Sequence, residues 1–335
     1  MRRAGADESC RPNSFARRDL VDQDTGSNQN RVWPGTGPSE EVRGFEWVVC
    51  RLRAAGCIAA EEEADELLAG APDTATLAEW VGRREVGEPL AWITGTVRFC
   101  GHRLRVDPGV YVPRIQSEEL ARRAASLLPA HGRAADLCTG SGAIAVHLLA
   151  AVPTASVVGV DVDLRSAICA RGNGVRVVVA DLDRPLPSRS FDTVTAVAPY
   201  VPTGDLRFLP ADVQRYEPRR SLDGGHDGLD LVRRIVASAA RLLRSGGWLL
   251  VELGGDQLDT LGPALAESGF DLAEAWFDED GDLRGLAARG TDLRDSTPSV
   301  RSLTGDVKPD QRRSSRPLAV ASDGVNPVKV ITAGY

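Results

Sequence analysis

Apolar residues recur along this chain first at helical spacing and later in short blocks. Before about residue 40 there is no apolar period; Arg, Asp, Ser, Asn, Gly and Pro prevail, and residues 1–40 read as a disordered leader. From Val42 to Ala69 the pattern becomes helical. Val48, Val49, Leu52 and Ala55 form one stripe, and Ala60, Ala64, Leu67 and Leu68 mark a second, acidic helix. Thr74 is placed to cap a third that runs through Trp80 and Val81. Thr96 to Cys100 and His102 to Val106 alternate about Gly101, which predicts a hairpin. A helix from Glu118 to Leu128 follows, opened by Gln116 or Ser117.

Past Arg133 strand and helix alternate. Arg133 to Leu137, Ser156 to Asp161, Val175 to Asp181, Phe191 to Val197 and Trp248 to Leu253 read as strands. Helices are expected over Ala143 to Ala151, Leu164 to Arg171, Leu229 to Leu243 and Leu258 to Ser268, with further strands over Phe270 to Phe277 and Leu283 to Arg289. Apolar runs such as Val175-Arg176-Val177-Val178-Val179, separated by helices, imply a mostly parallel sheet covered on both faces. After Gly290 the chain returns to Ser, Arg, Asp and Pro, so residues 291–335 read as a disordered tail.

The stretch that organises this pattern is Ala135-Asp136-Leu137-Cys138-Thr139-Gly140-Ser141-Gly142-Ala143. A strand runs through a small-residue turn into a helix, where glycines admit close approach of a ligand and the helix N-terminus offers free N–H groups. Asp161 ends the next strand, where an acid can accept hydrogen bonds from both hydroxyls of a ribose. Asp181 ends the strand after that and adds a second acceptor on the same sheet edge. Two acids and two glycines suit a cationic, adenosine-bearing ligand better than a polyphosphate, and no Gly-Lys-Ser/Thr grip for phosphates is present.

Composition narrows the class. With 335 residues and 42% apolar content the chain can build one large or two modest cores. It carries a net charge of −7 and a pI near 5.3, which argues against tight, sequence-independent binding of nucleic acid. No run is long enough for a membrane span, and the start lacks the apolar segment of a signal peptide, so a cytoplasmic protein is expected. The six cysteines show no Cys-x-x-Cys spacing, and His102, His131, His147 and His226 show no metal-ligand spacing. Reduced thiols and no metal are expected.

Phe191-Asp192-Thr193-Val194-Thr195-Ala196-Val197-Ala198-Pro199-Tyr200 makes a resemblance specific. The chain resembles the HemK/PrmC family, AdoMet-dependent methyltransferases that modify the side-chain amide of a glutamine in peptide-chain release factors. The resemblance covers about residues 83 to 290. Gly87-Glu88-Pro89-Leu90 is similar to the family's G-E-P-L-A-Y-I-x-G, and Val112-Pro113-Arg114-Ile115-Gln116-Ser117-Glu118 to its I-P-R-P-E-T-E. Glu217-Pro218, Gly224-Gly225 and Gly228-Leu229 match further segments, and Glu252-Leu253-Gly254 with Gln257 is similar to E-I-G-x-x-Q.

The resemblance implies a class I AdoMet-dependent methyltransferase fold, an α/β architecture with a seven-stranded, mostly parallel Rossmann-like sheet. It implies a small helical substrate-docking domain (41–94), a β-hairpin linker (95–115) and the AdoMet-binding domain (116–290). By motif, Asp136, Thr139, Gly140 and Gly142 would line the methionine end of AdoMet, Asp161 the ribose and Asp181 the adenine side. Val197, Ala198, Pro199 and Tyr200 would form the acceptor pocket. The partner implied is the Gly-Gly-Gln loop of a release factor, met by a monomer that binds neither membrane nor nucleic acid.

Four positions depart from the family. Cys138 replaces the first glycine of the AdoMet loop, where its side chain would have to point into the core, Gln116 replaces a glutamate and Ile115 a proline. The fourth is the largest: the family's N-P-P-Y stands here as Val197-Ala198-Pro199-Tyr200. Actinobacterial-type members often relax the motif to N-A-P-Y. An amide nitrogen is a poor nucleophile, and in the family the Asn oxygen and a backbone carbonyl accept its two N–H bonds. Valine accepts none; the Ala198 carbonyl could accept one. An unpaired buried donor costs roughly 1–3 kcal/mol, and loss of one oriented polar contact about 10²–10³ in rate. A degenerate AdoMet-binding homologue and a methyltransferase for another amino-group acceptor, exocyclic amines of nucleic acid included, therefore stand beside the glutamine reading.

Overall fold

The computed structural model describes residues 44–291, so the expected leader and, beyond residue 291, the expected tail lie outside the described residues. The chain starts with three helices: α1 (Phe45–Ala54), α2 (Ala60–Gly70) and α3 (Thr74–Glu85). Their apolar stripes meet in one cluster of Val48, Leu52, Ala64, Leu67, Leu77 and Val81. The cap of α3 is Asp73 and not the expected Thr74. Asp73 is extended (φ −150°), which brings its carboxylate to the Thr76 N–H at 2.7 Å. Within the cluster Arg84 Nε donates to Glu63 Oε2 at 2.6 Å, and both side chains are buried.

A short helix, α4 (Leu90–Thr94), escaped the sequence pattern because five residues show no period. The Trp92 indole N–H of α4 donates to the Val110 carbonyl at 2.9 Å, which ties the helices to the segment entering the larger domain. The predicted hairpin is present as β1 (Thr96–Phe99) and β2 (His102–Arg105), antiparallel with Thr96 opposite Arg105. Cys100 and Gly101 turn it with positive φ at both residues, as a two-residue hairpin loop requires.

The larger domain follows as α5 (Ser117–Leu127), β3 (Arg133–Leu137), α6 (Ala143–Ala151), β4 (Ser156–Asp161), α7 (Leu164–Gly172), β5 (Arg176–Val179), β6 (Phe191–Ala196), α8 (Ala211–Tyr216), α9 (Asp230–Leu242), β7 (Leu243–Glu252), α10 (Gln257–Glu267), β8 (Phe270–Phe277) and β9 (Leu283–Gly290). The strand order is β5-β4-β3-β6-β7-β9-β8. The first five run parallel, and β9 is antiparallel to both of its neighbours. This is the seven-stranded, mostly parallel sheet that the resemblance implied.

Side-chain alternation along β3 shows how the sheet is covered. Ala135 and Leu137 face one cluster, where α9 packs Val232, Ile235, Val236, Ala239 and Leu242 at helical spacing. Ala134 faces the other, with Leu120 and Ala124 of α5 and Ile144 and Leu148 of α6. Asp136 shares the Ala134 face and is buried. No helix among the described residues is long and apolar enough to cross a membrane.

Candidate active site

From β3 the chain crosses to β4 on one side, and from β6 to β7 on the other. The loops leaving two adjacent parallel strands thus diverge, and the crevice opened at their carboxyl ends is where such sheets bind ligands. The glycine turn leaves β3 and the Val197–Tyr200 segment leaves β6, so the topology brings both predicted sites to one place. The cleft there has two adjoining lobes that share Tyr111, Cys138, Gly140 and Val197 as walls.

In the turn, Gly140 and Gly142 hold φ at +56° and +84°. A Cβ at Gly142 would lie 2.9 Å from Val175 Cγ2, whereas one at Gly140 would meet nothing within 4 Å. Gly142 therefore packs the turn against Ala170 of α7 and Val175, just before β5, and Gly140 keeps the backbone open to the cleft. Thr139 Oγ1 donates to Asp136 Oδ2 at 2.6 Å, and Thr195 Oγ1 of β6 donates to Oδ1 at 2.8 Å. Burial pushes the Asp136 carboxyl up to about 6, against the two hydroxyls that favour its charged form. At the end of β4, Asp161 Oδ2 accepts the Gly140 N–H at 2.9 Å and Oδ1 the Asp163 N–H at 2.8 Å. Burial also raises the Asp161 carboxyl.

Cys138, with φ at +57°, packs against the cluster that holds Ala135 and Leu137 and also lines both lobes. One expectation changes here. Asp181 is not among the cleft-lining residues. β5 stops at Val179, short of the predicted strand, and Arg234 Nη2 holds the two Asp181 oxygens at 2.7 and 2.8 Å.

On the β6 side Val197, Ala198, Pro199 and Tyr200 all line the cleft. The Tyr200 hydroxyl is hydrogen-bonded to Glu252 at the end of β7, and Ser117 Oγ of α5 donates to the same buried carboxylate. Burial raises both the Tyr200 hydroxyl and the Glu252 carboxyl, so the pair is an uncharged phenol against a reluctant acid. Tyr111 and Arg114 form the adjacent wall. The Arg114 guanidinium lies 5.3 Å from the Tyr111 ring centre and pairs with Glu217. At the rim Arg220 pairs with Asp163 at 2.8 Å.

Tyr111, Arg114 and Glu252 were not among the site residues read from sequence. Their signal was present in the matching segments around Val112 and Glu252, but nothing in a one-dimensional pattern says that those segments face the cleft. Chemically, the turn side presents carboxylates and N–H groups with no lysine or arginine of its own. The Ser141 hydroxyl is buried there with no hydrogen-bond partner among the described residues. That donor set suits a cationic ligand carrying hydroxyls and an amino-acid end, which is the chemistry of AdoMet. The side chains of the described residues form no group of three that could hold a metal ion.

No family model matches the chain. A release factor glutamine methyltransferase of Geobacter sulfurreducens is 41% identical over 196 residues, 57% of this chain and 69% of that protein. A 4-amino-L-phenylalanine/4-methylamino-L-phenylalanine methyltransferase of Streptomyces pristinaespiralis is 38% identical over 227 residues, 64% of this chain and 77% of that protein. Among solved structures, a ribosomal protein L11 methylase of Lactobacillus delbrueckii subsp. bulgaricus is similar over 56% of this chain and 86% of that one, with 19% identity and a TM-score of 0.41.

Proposed function

The chain belongs to the release factor glutamine methyltransferase family, and we propose that it moves a methyl group from AdoMet to the side-chain amide nitrogen of a glutamine in a peptide-chain release factor. The observation that carries this reading is the convergence of the β3 and β6 loops on one cleft, with the glycine turn on one wall and Ala198–Tyr200 on the other. When bound, AdoMet supplies an electrophilic methyl on a sulfonium, which leaves a neutral thioether.

Asp161 is assigned the ribose hydroxyls, since two N–H groups already fix its oxygens in the cleft wall. Asp136, Thr139, Gly140 and Ser141 take the amino-acid end, and Gly142 shapes the turn behind them. With Asp181 engaged by Arg234, the apolar surface for the base falls to Val162, which follows Asp161 in the wall. The Ala198 carbonyl accepts one N–H of the acceptor nitrogen, which loses its other proton to water as the methylated product leaves. Tyr200 and Pro199 wall the acceptor and keep water from it. The helical module is assigned the docking of the release factor. The Tyr216 hydroxyl of α8 donates to the Val86 carbonyl at 3.2 Å, so the module abuts the segment whose Val213 lines the cleft. The setting that goes with this reading is a cytoplasmic monomer.

Val197 favours a second reading, an amine acceptor. An amine nitrogen keeps its lone pair and needs no pair of oxygens to orient it, and the Streptomyces relative is named for such substrates. The test is transfer of label from AdoMet to a purified release factor and, separately, to 4-amino-L-phenylalanine, by the native chain and by Val197→Asn. We expect the native chain to label the glutamine and Val197→Asn to raise that rate by up to about 10²-fold. Label on the amine alone moves the assignment to the second reading. AdoMet binding with label on neither acceptor overturns both.

A further inference from the structure

Gln257 opens α10, is buried, and does not line the cleft. Its side-chain amide nevertheless joins three loops. Oε1 accepts the Gly254 N–H at 3.0 Å, after β7. Nε2 donates to the Tyr200 carbonyl at 2.8 Å, after β6, and to the Asp227 carbonyl at 3.3 Å, before α9. Gly228 makes room for this junction: a Cβ there would lie 2.1 Å from the Tyr200 carbonyl oxygen and 2.4 Å from Gln257 Nε2.

The surroundings show what the junction controls. β6 ends at Ala196, and Val201 is the next residue tied backbone to backbone, through its N–H to the Leu222 carbonyl at 3.1 Å. Between those points lie the acceptor-wall residues, and Gln257 fixes the carbonyl of the last of them. Tyr200 is then held twice, at its carbonyl by Gln257 and at its hydroxyl by Glu252. With valine at position 197, orientation of the acceptor nitrogen falls to backbone carbonyl groups of this stretch. A misplacement of 1 Å in such a group costs on the order of 10² in rate.

We propose that Gln257 is a positioning residue for methyl transfer: acting through the Tyr200 carbonyl, it sets the Ala198–Tyr200 backbone against which the acceptor nitrogen is aligned. This rests on the methyl-transfer reading above.

The test uses the full chain with Gln257→Met, which keeps the side-chain length and removes both donors, and Gln257→Glu, which keeps an acceptor for Gly254 and sets a carboxylate against two carbonyls. Three quantities are measured: kcat and KM for the acceptor, the Kd for AdoMet, and hydrogen exchange of the Ala198, Tyr200 and Val201 amides. Expected are kcat lower by about 10- to 100-fold in both variants, exchange faster by about tenfold in that stretch, and KM and AdoMet Kd within about threefold of native. Native kcat in Gln257→Glu would show that only side-chain volume matters and overturns the proposal. So does unchanged exchange between Ala198 and Val201, or a loss of AdoMet affinity as large as the loss of kcat. If the native chain labels no acceptor, the methyl-transfer reading fails by itself, and the exchange rates still decide whether Gln257 fixes the backbone.

Discussion

Cys138 holds a left-handed backbone at a position where the family places glycine, and an L side chain there costs about 1–2 kcal/mol. Glycine gives back roughly 0.5–1 kcal/mol of that through the freedom it loses on folding. Set against the packing of the thiol on the core, Cys138→Gly is therefore expected to stabilise the protein by no more than about 1 kcal/mol, read from the midpoint of urea unfolding. Asp136 has a different consequence. Its carboxyl is raised from 3.8 to about 6, so the folded chain holds this proton more tightly than the unfolded one. Its contribution to stability is fully present below the ordinary value and declines as pH rises through that window. Affinity for a cationic ligand runs the other way, because the attracting charge appears only as the carboxyl ionises. AdoMet should bind several-fold more tightly at about pH 7 than at about pH 5, and Asp136→Asn should flatten that dependence in a calorimetric titration. Gly140, Gly142 and Asp161 were legible from the strand-turn-helix pattern and from position at a strand end, whereas Asp136 came only with the resemblance. The left-handed backbone at Cys138 was not legible, since the sign of φ within a turn has no apolar period. Nor was the fate of Asp181, whose partner Arg234 lies on another element.

Elements with a period were legible almost to their ends: β3, β4 and α6 match their predicted bounds, and α9 falls within a residue of them. What escaped was short or non-periodic. α4 and α8 have five and six residues, too few to repeat a 3.6-residue stripe. Pairings between elements were also hidden: Arg114 and Glu217 meet across 103 positions of sequence. Among the helices the Arg84–Glu63 pair gives a prediction of its own. Glu63→Ala leaves a guanidinium buried at 7% side-chain exposure without its carboxylate, which costs about 3–5 kcal/mol. Because that pair sits in the helical cluster, denaturant should show the loss at the helices while AdoMet affinity stays within about twofold of native.

At the scale of the molecule, small ties hold the helical module, the hairpin and the sheet around one cleft. Trp92 reaches the Val110 carbonyl, and Tyr216 meets Trp92 edge-on with ring centres 6.4 Å apart while bonding the Val86 carbonyl. The helical module, the segment after the hairpin and α8 are thus tied to one another, and the cleft at Tyr200 is lined by groups from distant stretches of chain. The last strand among the described residues sets a further condition. β9 is not at the edge of the sheet but between β7 and β8, with Gly285 opposite Glu252. On a translating ribosome, the strand carrying Glu252 emerges long before the strand that completes its pairing. Until roughly residue 290 has left the exit tunnel, β7 offers an open edge and β8 has no neighbour, so the carboxylate that receives the Tyr200 hydroxyl gains its final surroundings last. Synthesis order and cleft order are therefore opposed in this chain: the glycine turn can be made early, but the surroundings of Glu252 are finished only by β9.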